Sequence, residues 1–227
     1  MWLWALLPLC LAVFGVVGIW TVFAIAVANG SVNLTEAVPY ISTCGSYAPQ
    51  SCLFSQVCTV CTVLGLWIVV IRFQQLRDYG NYGRVNVASA VVGIIACAGI
   101  SVLGSFQPSI LLELHLVGAF VAFFVGLVYF WMQLLLTYGS EPQDRCWVGA
   151  ARAACCTFCT ILVFAMTLLH SIGYPSAAAV CEWVLVMLFF CLFGLFAAEF
   201  RHIDCHLLTV QRRALRTELS SSVSVNA

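Results

Sequence analysis

Six uncharged apolar runs, each about as long as a bilayer is thick, constrain this chain more than any other feature. They cover 3–28, 53–71, 85–104, 116–136, 153–169 and 177–198, and each is closed by a charge or by Pro, Gly or Asn. A hydrocarbon core of about 30 Å needs about 20 apolar residues in a helix rising ~1.5 Å per residue. Backbone groups in lipid must find their partners within the segment, so such runs form helices, and the alternation of a barrel strand is absent. Of the 227 residues, 63% are hydrophobic and 8% charged, with a mean hydropathy of +1.05. A soluble domain has no polar surface to cover that much apolar area. The expected fold is therefore all-α: a bundle of six transmembrane helices over 1–206, followed by a disordered tail over 207–227.

The basic residues orient the bundle. All nine are Arg, and none lies in the first, third or fifth connection. Arg72, Arg77 and Arg84 fall in the second connection, Arg145 and Arg152 in the fourth, and Arg201, Arg212, Arg213 and Arg216 after the last run. By the positive-inside rule these segments and both termini are cytosolic, and the odd connections are extracellular or lumenal. Ala26-Val27-Ala28 has the form of a signal-peptidase site. However, Met1–Leu7 carries no basic side chain and the run is about twice a signal peptide's apolar core, so the first helix is expected to stay. With zero net charge, nothing in the electrostatics recruits nucleic acid.

The first external loop, 29–52, holds two glycosylation sequons, at Asn29 and Asn33. Asn33 is the better acceptor because Asn29 lies close to the membrane. Cys44 and Cys52 flank a Gly- and Pro-containing turn, and in an oxidising compartment a disulfide between them is expected to fix the loop. Cys58-x2-Cys61 lies inside an apolar run without a second pair, so it reads as packing rather than as a metal site. Cys146, Cys155, Cys156, Cys159 and Cys205 flank the cytosolic face, where cysteines accept palmitate. His202, Cys205 and His206 read as a polar turn, and Asp204-x2-Leu207-Leu208 as too near the last span for a sorting receptor. Arg212, Arg213 and Arg216 make a small basic patch worth ~1 kcal/mol per Arg at an anionic leaflet.

Glu113, His115, His170 and Glu182 all fall at external helix ends, where they either gather under the loop or simply occupy the interface. Glu199 falls at the cytosolic edge. No charged residue or His stands at the middle of a run, where ion-coupled transporters keep theirs. Gln133 is the main strong hydrogen-bonding side chain deep in the later runs. Catalytic and phosphate-cradling motifs are missing, so no catalytic, cofactor or metal residue is expected. Gly118, Ala122 and Gly126 form a small-residue stripe suited to close helix packing, either within the bundle or between copies.

Several segments together carry a family resemblance. These are Gly18–Val27, Pro39-Tyr40-Ile41-Ser42, Cys44-Gly45-Ser46, Pro49–Cys52, Gln75–Asp78, Gly104–Gln107, His115–Ala119 and Cys181-Glu182-Trp183. The chain resembles the damage-regulated autophagy modulators and transmembrane-150 proteins. The resemblance implies a non-enzymatic, six-helix protein of plasma, endosomal, lysosomal or autophagosomal membranes that modulates autophagy and survival under stress. It implies partners among membrane or cytosolic proteins of the endolysosomal system, and no cofactor. Some relatives instead help recruit a phosphoinositide kinase to the plasma membrane. A small transporter or channel is the reading from another class, and a water-exposed stripe through several spans would distinguish it.

Overall fold

The computed structural model describes residues 3–80, 83–139, 145–201 and 203. Among them six helices are long and apolar enough to cross a membrane, and no strand is present. The chain is a multi-pass membrane protein. The spans are α1 (Leu3–Ala28), α3 (Gln50–Asp78), α4 (Arg84–Ser105), a composite of α5 (Leu112–Phe120), a π turn (Val121–Val125) and α6 (Gly126–Gly139), then α7 (Arg145–Ser171), and finally α8 (Pro175–Gly194) with its continuation α9 (Phe196–Phe200). A short helix, α2 (Ile41–Cys44), interrupts the first connection.

The apolar runs mark the helices but understate most of them. The first run coincides with α1, whereas the second gains seven residues at its end and runs on through Arg72, Gln75 and Arg77. Arg, Gln and Leu are good helix formers, so a helix continues past the point where its side chains become polar. Arg72 and Arg152, expected in connections, therefore lie within α3 and α7. Neither α2 nor the π turn has a counterpart in the apolar pattern.

Each span packs on its neighbours in sequence, and α8 with α9 returns to α1, so the six spans close into a ring. The ring is filled rather than hollow. One part of its core contains Leu11, Ile68, Tyr129, Phe130, Phe193 and Phe196, with Phe130 meeting Phe193 edge-on at 5.0 Å. Another contains Ile19, Val22, Ile41, Phe54, Val57 and Cys61. Outward lie Val13, Val17, Phe158, Phe164 and Leu168, large apolar side chains that only lipid can cover. The two ends of the ring differ: one carries Arg72, Arg152 and Glu199, the other the 29–49 loop. They are called here the arginine end and the loop end.

The small-residue stripe faces inward. A Cβ added to Gly118 would lie 2.6 Å from the backbone N of Leu103, and one added to Gly99 would lie 2.6 Å from that of Ala122. Here α4 and the fourth span touch backbone to backbone, which is the use that membrane helices make of glycine. Gly118→Ala therefore forces two backbones apart and should cost about 1–3 kcal/mol, as overpacking does. Gly139→Ala, which meets nothing within 4 Å, should be neutral or slightly stabilising. Thermal unfolding of the two purified variants in detergent measures the difference.

Candidate functional site

At the arginine end, polar side chains from five helices converge in the interior. Glu199 on α9 accepts two guanidiniums: Arg72 Nη2 lies 2.7 Å from Oε1, and Arg152 Nη2 lies 2.7 Å from Oε2. All three side chains are at most 3% exposed, so water contributes almost nothing. The remaining donors are directed by helix spacing. Arg72 Nε donates to Gln133 Oε1 at 3.0 Å, and Nη1 donates to Gln75 Oε1 at 2.7 Å, one turn along α3. Gln133 Nε2 donates to Ser89 Oγ at 2.7 Å, and Gln75 Nε2 donates to the Glu199 carbonyl at 2.8 Å. Thr137 Oγ1 accepts from Arg152 Nη1 and donates to the Gln133 carbonyl at 2.8 Å.

Two cations against one anion leave the cluster one charge positive. Phe196 offsets part of this excess, because its ring lies 4.8 Å from Arg152 Cζ and 5.8 Å from Arg72 Cζ. The network joins α3, α4, α6, α7 and α9, so its chemistry is cohesion. From sequence, Gln133 is recognisable as a deep polar group, but its role as acceptor for Arg72 depends on a fold that brings residues 61 apart together.

The loop end is a platform. Four bonds pin the 38–41 segment to α7 and α8. Val38 N donates to Ser176 Oγ at 3.3 Å, Trp183 Nε1 to the Pro39 carbonyl at 3.0 Å, and Ile41 N to Glu182 Oε2 at 2.7 Å. Tyr40 Oη and His170 Nδ1 are hydrogen-bonded at 2.8 Å. Trp20, Phe23 and Trp183 pack together nearby. The external polar residues thus do not form one cluster. Glu182 and His170 each hold the loop, His115 turns inward, and Glu113 is exposed. Under α2 lies a cavity of about 110 Å³ lined by Phe54, Cys61, Phe190, Ser42, His115 and Glu182 among others.

Asn29 and Asn33 are both exposed, and both amides are engaged: Asn29 Nδ2 donates to Gln50 Oε1 at 2.8 Å and Asn33 Nδ2 to Glu36 Oε1 at 2.9 Å. The cysteine candidates separate by exposure. Cys44 is buried, Cys52 is exposed, and both are free thiols, so the structure holds no bridge between them. Burial, and next the Glu182 charge, push the Cys44 thiol up to about 11. It is therefore protonated at neutral pH and a poor partner for thiol exchange. Cys156 and Cys159 are fully buried in the core and present no sulfur to an acyl donor. Cys146 is exposed and Cys155 half-buried. Cys205, Arg212, Arg213 and Arg216, like the rest of the tail, lie outside the described residues. No group of three potential metal ligands forms among the described residues.

Glu199→Gln should leave two buried guanidiniums without a carboxylate and destabilise the protein by about 3–5 kcal/mol. Arg72→Met removes the surplus charge and keeps the Arg152–Glu199 pair, so its loss should be clearly smaller. Chemical denaturation in mild detergent gives the order of the two.

Comparison with known proteins gives a consistent answer. Residues 3–203 match the family described as Frag1/DRAM/Sfk1/Cwh43P N-terminal domain. The chain is 58% identical over 224 residues to the modulator of macroautophagy TMEM150B of Danio rerio, covering 98% of this chain and 97% of the relative. It is 46% identical over 209 residues to the Homo sapiens protein of the same name, covering 91% and 90%. Transmembrane protein 150A of Mus musculus is 31% identical over 257 residues, covering 98% and 95%. No solved structure matches. The resemblance carried by the first loop and its flanks is therefore shown.

Proposed function

The chain belongs to the Frag1/DRAM/Sfk1/Cwh43P family, and we propose that it is a non-enzymatic membrane regulator of autophagy that promotes autophagic flux and survival under stress. The observation that carries this reading is near-full-length similarity, at 46–58% identity, to proteins named modulators of macroautophagy. The build of the molecule supports it. Most of the polar groups described at the arginine end are spent on one another, and aromatic side chains fill much of the ring centre. Both features favour a regulator over a channel. What the fold offers to partners is a rigid platform at the loop end, the helix ends at the arginine end and the tail beyond them.

The arginine end faces the cytosol in this reading, since it collects the Arg side chains. The loop end then faces the lumen or the exterior, with Asn33 as the glycan acceptor and Cys146 as the most accessible acceptor for palmitate. Retention of the first helix is part of this reading, and the packing of α1 between α3 and α8 supports it. Plasma, endosomal, lysosomal or autophagosomal membranes are the proposed residence. The runner-up, a scaffold that recruits a phosphoinositide kinase, rests on the basic tail.

Autophagic flux decides the main reading. Overexpression should raise the turnover of an autophagosome marker, measured with and without lysosomal inhibition, and knockdown should lower it. No change in either direction refutes the reading. Asn33→Gln should remove a glycosidase-sensitive mass shift that Asn29→Gln leaves in place, which tests the orientation separately.

A further inference from the structure

The cavity beneath α2 has no part in the reading above, yet its walls are chemically specific. Its volume is about 110 Å³. Benzene enters an apolar cavity of about 150 Å³, so this smaller one holds a short alkyl segment rather than a ring. Phe54, Val57, Phe190 and Phe193 supply apolar wall, and the polar wall is Ser42, His115 and Glu182.

All three polar side chains offer an unused acceptor. His115 Nδ1 lies 3.0 Å from the Leu103 carbonyl and 2.8 Å from the Phe106 carbonyl. Carbonyls only accept, so Nδ1 carries the proton, and Nε2 of the neutral ring is left as a lone pair. That nitrogen has no partner among the described residues. Glu182, 9% exposed, uses Oε2 for Ile41 N at 2.7 Å, while Oε1 receives no donor. Nor does any basic side chain among the described residues pair with Glu182. A buried carboxylate with one backbone donor and no counter-charge is an expensive arrangement, relieved either by uptake of a proton or by a cation that completes it.

We propose that this cavity binds an amphiphilic primary amine, with the ammonium against Glu182, His115 and Ser42 and the apolar body among the phenylalanines. The ligand's N–H groups suit a polar wall made of acceptors, and its charge supplies the counter-ion that an ionised Glu182 lacks in the fold. An alcohol of the same size brings one donor and no charge, and a carboxylic acid brings the wrong charge. A free small amine and the head of a long-chain lipid amine share this chemistry.

The test uses the full-length protein in phosphatidylcholine nanodiscs, with melting temperature followed against ligand concentration. Hexylamine should bind at least tenfold more tightly than hexanol. Glu182→Gln, whose amide oxygen still accepts from Ile41 N, should abolish that preference. Ala119→Leu, which fills the cavity from the α5 side, should abolish the response to both. Sphingosine incorporated in the nanodisc identifies a lipid source if it competes with hexylamine, and a free amine if it does not. Equal binding of amine and alcohol by the unaltered protein, or an undiminished amine preference in either variant, overturns the proposal.

Discussion

The structure depends on one carboxylate. Glu199 pairs with an arginine from α3 and an arginine from α7 in a setting where water is nearly excluded from all three side chains. In such a place a charge needs a partner and donors need acceptors, and the fold supplies most of them from five helices, leaving Arg152 Nε without one. Gln75 and Gln133 accept from Arg72, Thr137 accepts from Arg152, and Phe196 lies against both cations. Apolar packing alone would let six helices slide past one another in lipid, because lipid tails are as apolar as leucine. A directional polar network fixes their register.

The two ends of the ring are held by different physics. At the arginine end the ties are charge-assisted and buried. At the loop end they are neutral or singly charged hydrogen bonds to a short segment of loop, reinforced by the Trp20–Phe23–Trp183 group. Between them the ring is packed with phenylalanine, except beneath α2, where Glu182 and His115 line a space. This division gives the molecule two ends of different character, one tied by buried charge and the other by hydrogen bonds to a loop.

Much of this was legible in the residues. Bilayer-length apolar runs gave the number and order of the spans, because length against membrane thickness is a strong physical constraint. The helix ends were less legible: Arg72 and Gln75 look like a connection, and only the packed fold shows that they are the last turns of a helix whose polar side chains find partners inside. Glu199 looked like an interfacial residue for the same reason. Its partners lie 47 and 127 positions away, and nothing local marks them. The π turn leaves no apolar signature, and the burial of Cys156 and Cys159 depends on which face of α7 turns inward. Spacing puts Cys44 and Cys52 in one loop, but not their difference in exposure, which depends on α2 burying the first and α3 turning the second outward.

The closed ring has a consequence for how the molecule is made. A ribosome releases α3 and α7 well before α9, so Arg72 and Arg152 enter the membrane region while the carboxylate that pairs with them is still unsynthesised. Until the final helix arrives, the nascent chain holds two unbalanced cations and an open seam beside α1. Completion of the last few residues of the sixth helix is thus the event that turns six inserted helices into one body. A product cut short before Glu199 would carry a chemically recognisable defect, two stranded arginines, on which quality control could act.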